Sequence, residues 1–105
     1  MKSEIYYMKS SRDLCMGYEW CKKNNCQPDP KNLDKTHIHL IDLEEMDKED
    51  IFHHMQGEVW SPKGEARPII QAAGVHHTSM SVGDIIKQGD KVYMVDSFGF
   101  KELTS

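Results

Sequence analysis

Apolar positions along this chain change their spacing several times, and each change marks an element. Residues 3–9, Ser-Glu-Ile-Tyr-Tyr-Met-Lys, are rich in β-formers and predict a short strand. Ser10 or Ser11 then stands where a helix cap is needed, with Leu14, Tyr18 and Cys21 at i, i+4, i+7 and Met16 and Trp20 beside them. Gly17 lies inside that pattern and weakens it by about 1 kcal/mol relative to Ala. Asn24-Asn25 suits the helix end, because Asn tolerates left-handed backbone. Pro28 and Pro30 make residues 27–35 a loop. Residues 36–43 predict a strand with Ile38 and Leu40 on one face and His37, His39, Ile41 and Leu43 on the other. A strand apolar on both faces is expected in the middle of a sheet.

The period then becomes helical. Asp47 is a good N-cap, Glu49 and Asp50 complement the helix dipole, and Ile51, Met55 and Val59 share a face with Phe52 beside it, predicting a helix over 48–60. A turn over 61–67 follows, then a short helix opened by Pro68, packed through Ile69, Ile70 and Ala73 and ended by Gly74. The last third alternates: strands at 82–86, 92–96 and 100–103 with turns at Gln88-Gly89-Asp90 and Ser97-Phe98-Gly99. The expected fold class is α+β, a single small domain over residues 1–105, strand-helix-strand-helix followed by an antiparallel β meander.

Composition narrows the function classes more than it selects one. At 105 residues the chain has room for one domain. Thirteen Lys+Arg against 17 Asp+Glu leave a net charge of −4, without the basic stripe of a nonspecific nucleic-acid binder, so no nucleic-acid partner is expected. No run approaches the roughly 20 apolar residues of a membrane span, and residues 1–8 lack the apolar centre of a signal peptide, which predicts an intracellular protein that makes no membrane contact. Cys15, Cys21 and Cys26 are an odd number, which argues against a disulfide framework. Acids gather at Asp42, Glu44, Glu45, Asp47, Glu49 and Asp50 around a single Lys48, an acidic corner that a basic partner would suit.

Candidate chemistry is sparse. There is no Walker loop, dinucleotide glycine fingerprint, HExxH or nucleophile elbow. Histidines come in pairs, His37/His39, His53/His54 and His76/His77. The series Cys21-x4-Cys26-x10-His37-x-His39 contains one zinc-like spacing and no matching second knuckle, so the cysteines are expected to pack as small hydrophobes and no metal or other cofactor is assigned. His77-Thr78-Ser79 has the His-x-Ser form of two-histidine phosphoesterases, but His37-Ile38-His39 lacks the partner hydroxyl, and no residue is assigned a catalytic role. Thr78, Ser79 and Ser81 beside His77 would suit an anion or nucleotide, or else a Ser/Thr turn network closed on its own backbone, with Val82-Gly83-Asp84 bending the chain into a strand. In residues 56–67, Arg67 would pair with Glu58 or Glu65 and stack on Trp60 as a structural corner, or Trp60 and Arg67 would form an exposed anchor pair.

Three stretches carry a family resemblance. Gln56-Gly57-Glu58-x-Trp60-Ser61-Pro62-x-Gly64-Glu65-Ala66-Arg67, then His77-Thr78-Ser79-Met80-Ser81-Val82-Gly83-Asp84, then Asp96-Ser97-Phe98-Gly99-Phe100 together resemble a set of small bacteriophage proteins of uncharacterised activity, many of them marine. The second half is also similar to the YodL-like domain of phages and conjugative elements. The resemblance spans residues 50–103 and leaves out 1–35. It implies a mobile-element setting in a host cytoplasm, where small proteins of this kind act on a host defence or regulatory protein.

Two functions follow as expectations. The leading one is a non-enzymatic phage accessory protein that binds and inhibits or redirects a host bacterial protein, a counter-defence role, with Tyr18, Trp20 and Trp60 in its contact surface and homo-oligomerisation enlarging its area. The alternative is a small-ligand module that binds or hydrolyses a nucleotide-type signal through Arg67 and the 77–81 loop, with His77 as general acid and base. The candidate binding residues are Trp60, Glu65, Arg67, His77, Thr78, Ser79 and Ser81. The alternative requires the 56–67 and 76–84 stretches to converge.

Overall fold

The computed structural model describes residues 2–9, 16–75 and 77–103. In chain order its elements are β1 (Lys2–Met8), α1 (Tyr18–Lys23), a 3-10 turn at Leu33–Lys35, β2 (His37–Glu44), α2 (Lys48–His54), α3 (Gly57–Trp60), α4 (Arg67–Ala73), β3 (Ile85–Gln88), β4 (Lys91–Val95) and β5 (Phe100–Leu103). The strands make one antiparallel sheet in the order β2-β1-β3-β4-β5. This is the expected α+β domain: β3, β4 and β5 are the meander, and β1 is inserted between β2 and β3. A radius of gyration of 12.8 Å is that of a compact domain of this length.

Neighbouring residues divide between two cores, one on each face of the sheet. Ile5, Tyr7 and Ile86 pack with Leu40, Ile51, Met55 and Ile70 in one cluster. Ile85, Met8 and Met94 pack with Cys21, Leu33 and Leu103 in the other, joined by Tyr6, Tyr18 and Trp20. Tyr18 and Trp20, expected at a contact surface, are half-buried against that second cluster. Of the cysteines, Cys21 is buried there, Cys26 packs at its margin, and Cys15 lies outside the described residues, as do Ser10, Ser11, Leu14 and His76.

Besides β3, which runs Ile85–Gln88 rather than over 82–86, three elements differ from the sequence reading. The first is β2, which is an edge strand rather than a central one. Ile5 pairs with Ile41 but Tyr6 pairs with His39, so Leu40 is an extra residue, a β-bulge. The bulge reverses the alternation at one point. Ile38, Leu40, Ile41 and Leu43 all join the first core, while His39 and Asp42 are exposed. A strand that is apolar on one face is suited to an edge.

The second is the expected helix over 48–60, which breaks at Gln56. That residue is extended (φ −74°, ψ 141°) and separates α2 from α3. Its side-chain amide donates to Phe52 O at 2.9 Å and Met80 O at 3.2 Å, and Met80 N–H donates to Met55 O at 3.1 Å. The third is α1, which starts at Tyr18 because Gly17, at φ +116°, stands before the helix rather than inside it. The remaining punctuation follows expectation. Asn25 is left-handed at φ 55°, Pro68 lies in the first turn of α4, and Gly74 ends that helix in the left-handed conformation.

Candidate functional site

The Val82-Gly83-Asp84 bend organises the loop before β3. Asp84 is 1% exposed, and its carboxylate is shared among three donors. Oδ1 accepts Met8 N–H at 3.0 Å, and Oδ2 accepts Ser81 N–H at 2.9 Å and lies 2.8 Å from His77 Nε2. The His77 ring stacks on Tyr7, with centroids 4.5 Å apart and planes 9° from parallel. The Tyr7 hydroxyl donates to Thr78 O at 2.7 Å, and Trp60 Nε1–H donates to the same carbonyl at 3.0 Å. Gly57 N–H donates to Ser79 Oγ at 2.7 Å. The 56–67 turn and the 77–84 loop therefore do converge.

Electrostatics follow from this burial. Burial pulls the His77 pKa down, but the hydrogen bond and the charge of Asp84 outweigh it and leave it above the ordinary histidine value. Tyr7 is pushed up by burial and then by the Asp84 charge, so its phenol stays protonated. His37, also packed against this bend, is fully buried. Its Nε2 donates to Gly83 O at 2.6 Å and its Nδ1 lies 2.8 Å from the Thr36 hydroxyl. Burial lowers its pKa, against the raising effects of the Gly83 carbonyl and Asp84.

Beside this network lies a cleft of about 220 Å³, lined by Gly57, Ser61, Gly64, Arg67, Ile70 and Thr78. Gly64 is at φ +84°, and a Cβ built on it would lie 3.5 Å from Arg67 Nη2, so the guanidinium lies close over the bare glycine. Ser61 Oγ accepts Ala66 N–H at 2.9 Å, which fixes the turn and leaves its own O–H free to donate. Among the described residues Arg67 makes no ion pair with Glu58 or Glu65. Glu65 instead accepts the Lys63 N–H at 2.8 Å.

The candidate binding residues thus separate into two groups. Arg67 and Thr78 share the cleft. Trp60 and Ser79 are committed to the hydrogen bonds that hold the loop on the turn, His77 to Asp84 within the loop, while Ser81 and Glu65 are exposed on either side. The residues that spacing alone did not nominate are Gly57, Ser61 and Gly64 in the cleft wall and Tyr7 beneath His77. Gly57, Ser61 and Gly64 stand in the sequence only as part of the 56–67 stretch that carries the resemblance, and nothing there marks Tyr7. The Cys21/Cys26 and His37/His39 series does not gather: His37 is buried against Gly83, and His39 is exposed and bonded to Asp42 at 2.7 Å. No family model, no curated protein and no solved structure matches the chain.

Proposed function

We propose that the chain is a small binding module that takes an anionic group in the cleft between the 61–67 turn and the 77–81 loop. The observation that carries this reading is Arg67, exposed and without an ion-pair partner among the described residues, lining a concave wall with two glycines, the Ser61 hydroxyl and Thr78. The planar fork of arginine suits oxyanions such as phosphate and carboxylate. At about 220 Å³ the cleft is smaller than the roughly 300–1,000 Å³ of sites that enclose whole small molecules. It suits one phosphate or carboxylate, with the rest of the ligand outside against Ile70. Binding rather than hydrolysis is favoured, since His77 does not line this cleft and its Nε2 is held by Asp84. Isothermal titration with inorganic phosphate, pyrophosphate and a nucleoside monophosphate tests the reading. Saturable binding that Arg67→Ala removes is expected; equal binding by that variant contradicts it.

The leading expectation from the sequence, a phage accessory protein that binds a host bacterial protein, is favoured by one separate observation. Phe98 is 94% exposed at the tip of the β4–β5 turn, and Met16 is 60% exposed. The two are linked through Asp96, whose Oδ1 accepts both Ser97 N–H at 2.8 Å and Tyr18 N–H at 3.1 Å. An exposed aromatic side chain is the kind of anchor that dominates protein interfaces. A host protein retained by the wild type and lost with Phe98→Ala supports this reading. Identical capture by both contradicts it, and self-association abolished by the same substitution would assign the anchor to a second copy of the chain.

A further inference from the structure

On the exposed rim where β1 meets β2, the bulge brings together side chains that an ordinary strand would keep apart. Glu4 pairs with Asp42 and Tyr6 with His39. Residues 39 and 42 are three apart, so on a regular strand they would point to opposite faces. The extra residue, Leu40, returns both to the face of Glu4. One donor atom from each of Glu4, His39 and Asp42 lies within 4.8 Å of the other two, and His39 Nε2 is 2.7 Å from Asp42 Oδ1. Tyr6 orients two of the three. Its ring packs edge-on against the His39 imidazole at 5.4 Å, and its hydroxyl donates to Glu4 Oε1 at 3.2 Å.

We propose that Glu4, His39 and Asp42 form a binding site for a divalent first-row transition-metal ion, one imidazole nitrogen and two carboxylates, with water completing the coordination. This donor set is suited to such ions. The ion replaces the proton shared between His39 Nε2 and Asp42 Oδ1. Metal–ligand bonds of about 2.0–2.2 Å require the donors to draw inward. Side chains that are 44% exposed at His39 and 34% at Asp42 can do so by rotation, without moving the sheet. Lys2 opposes the ion, since its ammonium lies 3.1 Å from Asp42 Oδ2. The site lies on the face of the sheet opposite the Arg67 cleft and shares no residue with it.

Calorimetric titration of the reduced full chain with zinc chloride tests this. One saturable site is expected, weakened roughly tenfold or more by His39→Ala and by the isosteric Glu4→Gln, tightened by Lys2→Ala, and unchanged by Cys26→Ser. Circular dichroism checks that each exposed substitution leaves the fold in place. Zinc affinity unchanged by His39→Ala, loss of binding with Cys26→Ser instead, or no saturable binding would each overturn the proposal.

Discussion

His77 and Asp84 meet at 2.8 Å, and the same buried carboxylate holds the end of β1 through the Met8 N–H. An imidazole against a carboxylate is a pairing often associated with catalysis. Here the aspartate also accepts Ser81 N–H, and the histidine lies flat on Tyr7, so the pair joins β1 to the loop that forms one wall of the cleft. Its chemistry is that of positioning. The loop is carried to the turn, where Thr78 O receives Tyr7 and Trp60, and Arg67 lines the cleft beside it.

Asp84→Asn should therefore be among the most damaging conservative changes in the molecule. The amide keeps the shape but turns one acceptor into a donor facing donors. The expected loss is about 3 kcal/mol, read as a drop in the urea midpoint at constant slope. A loss below about 0.5 kcal/mol, the scatter of ordinary surface changes, would contradict the role given to Asp84.

Stability should depend on pH in two opposing ways. His77 is raised in the fold, so its contribution is complete below the unfolded value of about 6.5 and is lost as pH rises through the higher folded value. His37 is lowered, so its contribution is complete above about 6.5 and is lost as pH falls toward its folded value. The groups facing them are Asp84 and Tyr7 for His77, and Asp84, Thr36 and Lys9 for His37. Urea midpoints measured from acid to alkaline pH separate the two. The stability gap between wild type and His77→Gln should shrink as pH rises, whereas that for His37→Gln should grow. A His77 gap that widens with rising pH would contradict the pairing.

Gly17→Ala should cost more than Gly74→Ala. Both glycines have positive φ, at 116° and 74°. A Cβ at Gly74 meets nothing within 4 Å, but one at Gly17 would stand 2.4 Å from Asp96 Oδ1. Both substitutions carry backbone strain of about 1–2 kcal/mol. Gly17→Ala adds displacement of the Asp96 carboxylate that holds Tyr18 N–H and Ser97 N–H. Thermal denaturation of the two variants decides it; equal melting temperatures would contradict the close approach.

What was legible in the sequence was local. Pro68 and Gly74 bound α4, glycines mark the meander turns, and Val82-Gly83-Asp84 reads as a bend with an aspartate turned back on the backbone. What was not legible depended on partners far along the chain. The break at Gln56 arises because Met80 and Ser79, more than twenty residues later, take the polar groups of Met55 and Gly57. The one-faced apolar pattern of the edge strand β2 rests on one inserted residue, which no count of alternation reveals. Arg67 was expected to pair with Glu58 or Glu65, but Glu65 is held by the backbone of its own turn. Convergence of the two motif stretches, required but invisible in one dimension, comes from the donors of Tyr7 and Trp60 meeting on one carbonyl.

The most direct test of the anion cleft is a backbone amide NMR titration of the wild type and Arg67→Ala with inorganic phosphate. Arg67 is exposed and has no ion-pair partner among the described residues, so its truncation should leave the melting temperature nearly unchanged. In the wild type, saturable shifts should concentrate at Gly57, Ser61, Gly64 and Thr78, and in the variant they should vanish. Shifts scattered over the surface, or the same saturable shifts in both proteins, would contradict the account.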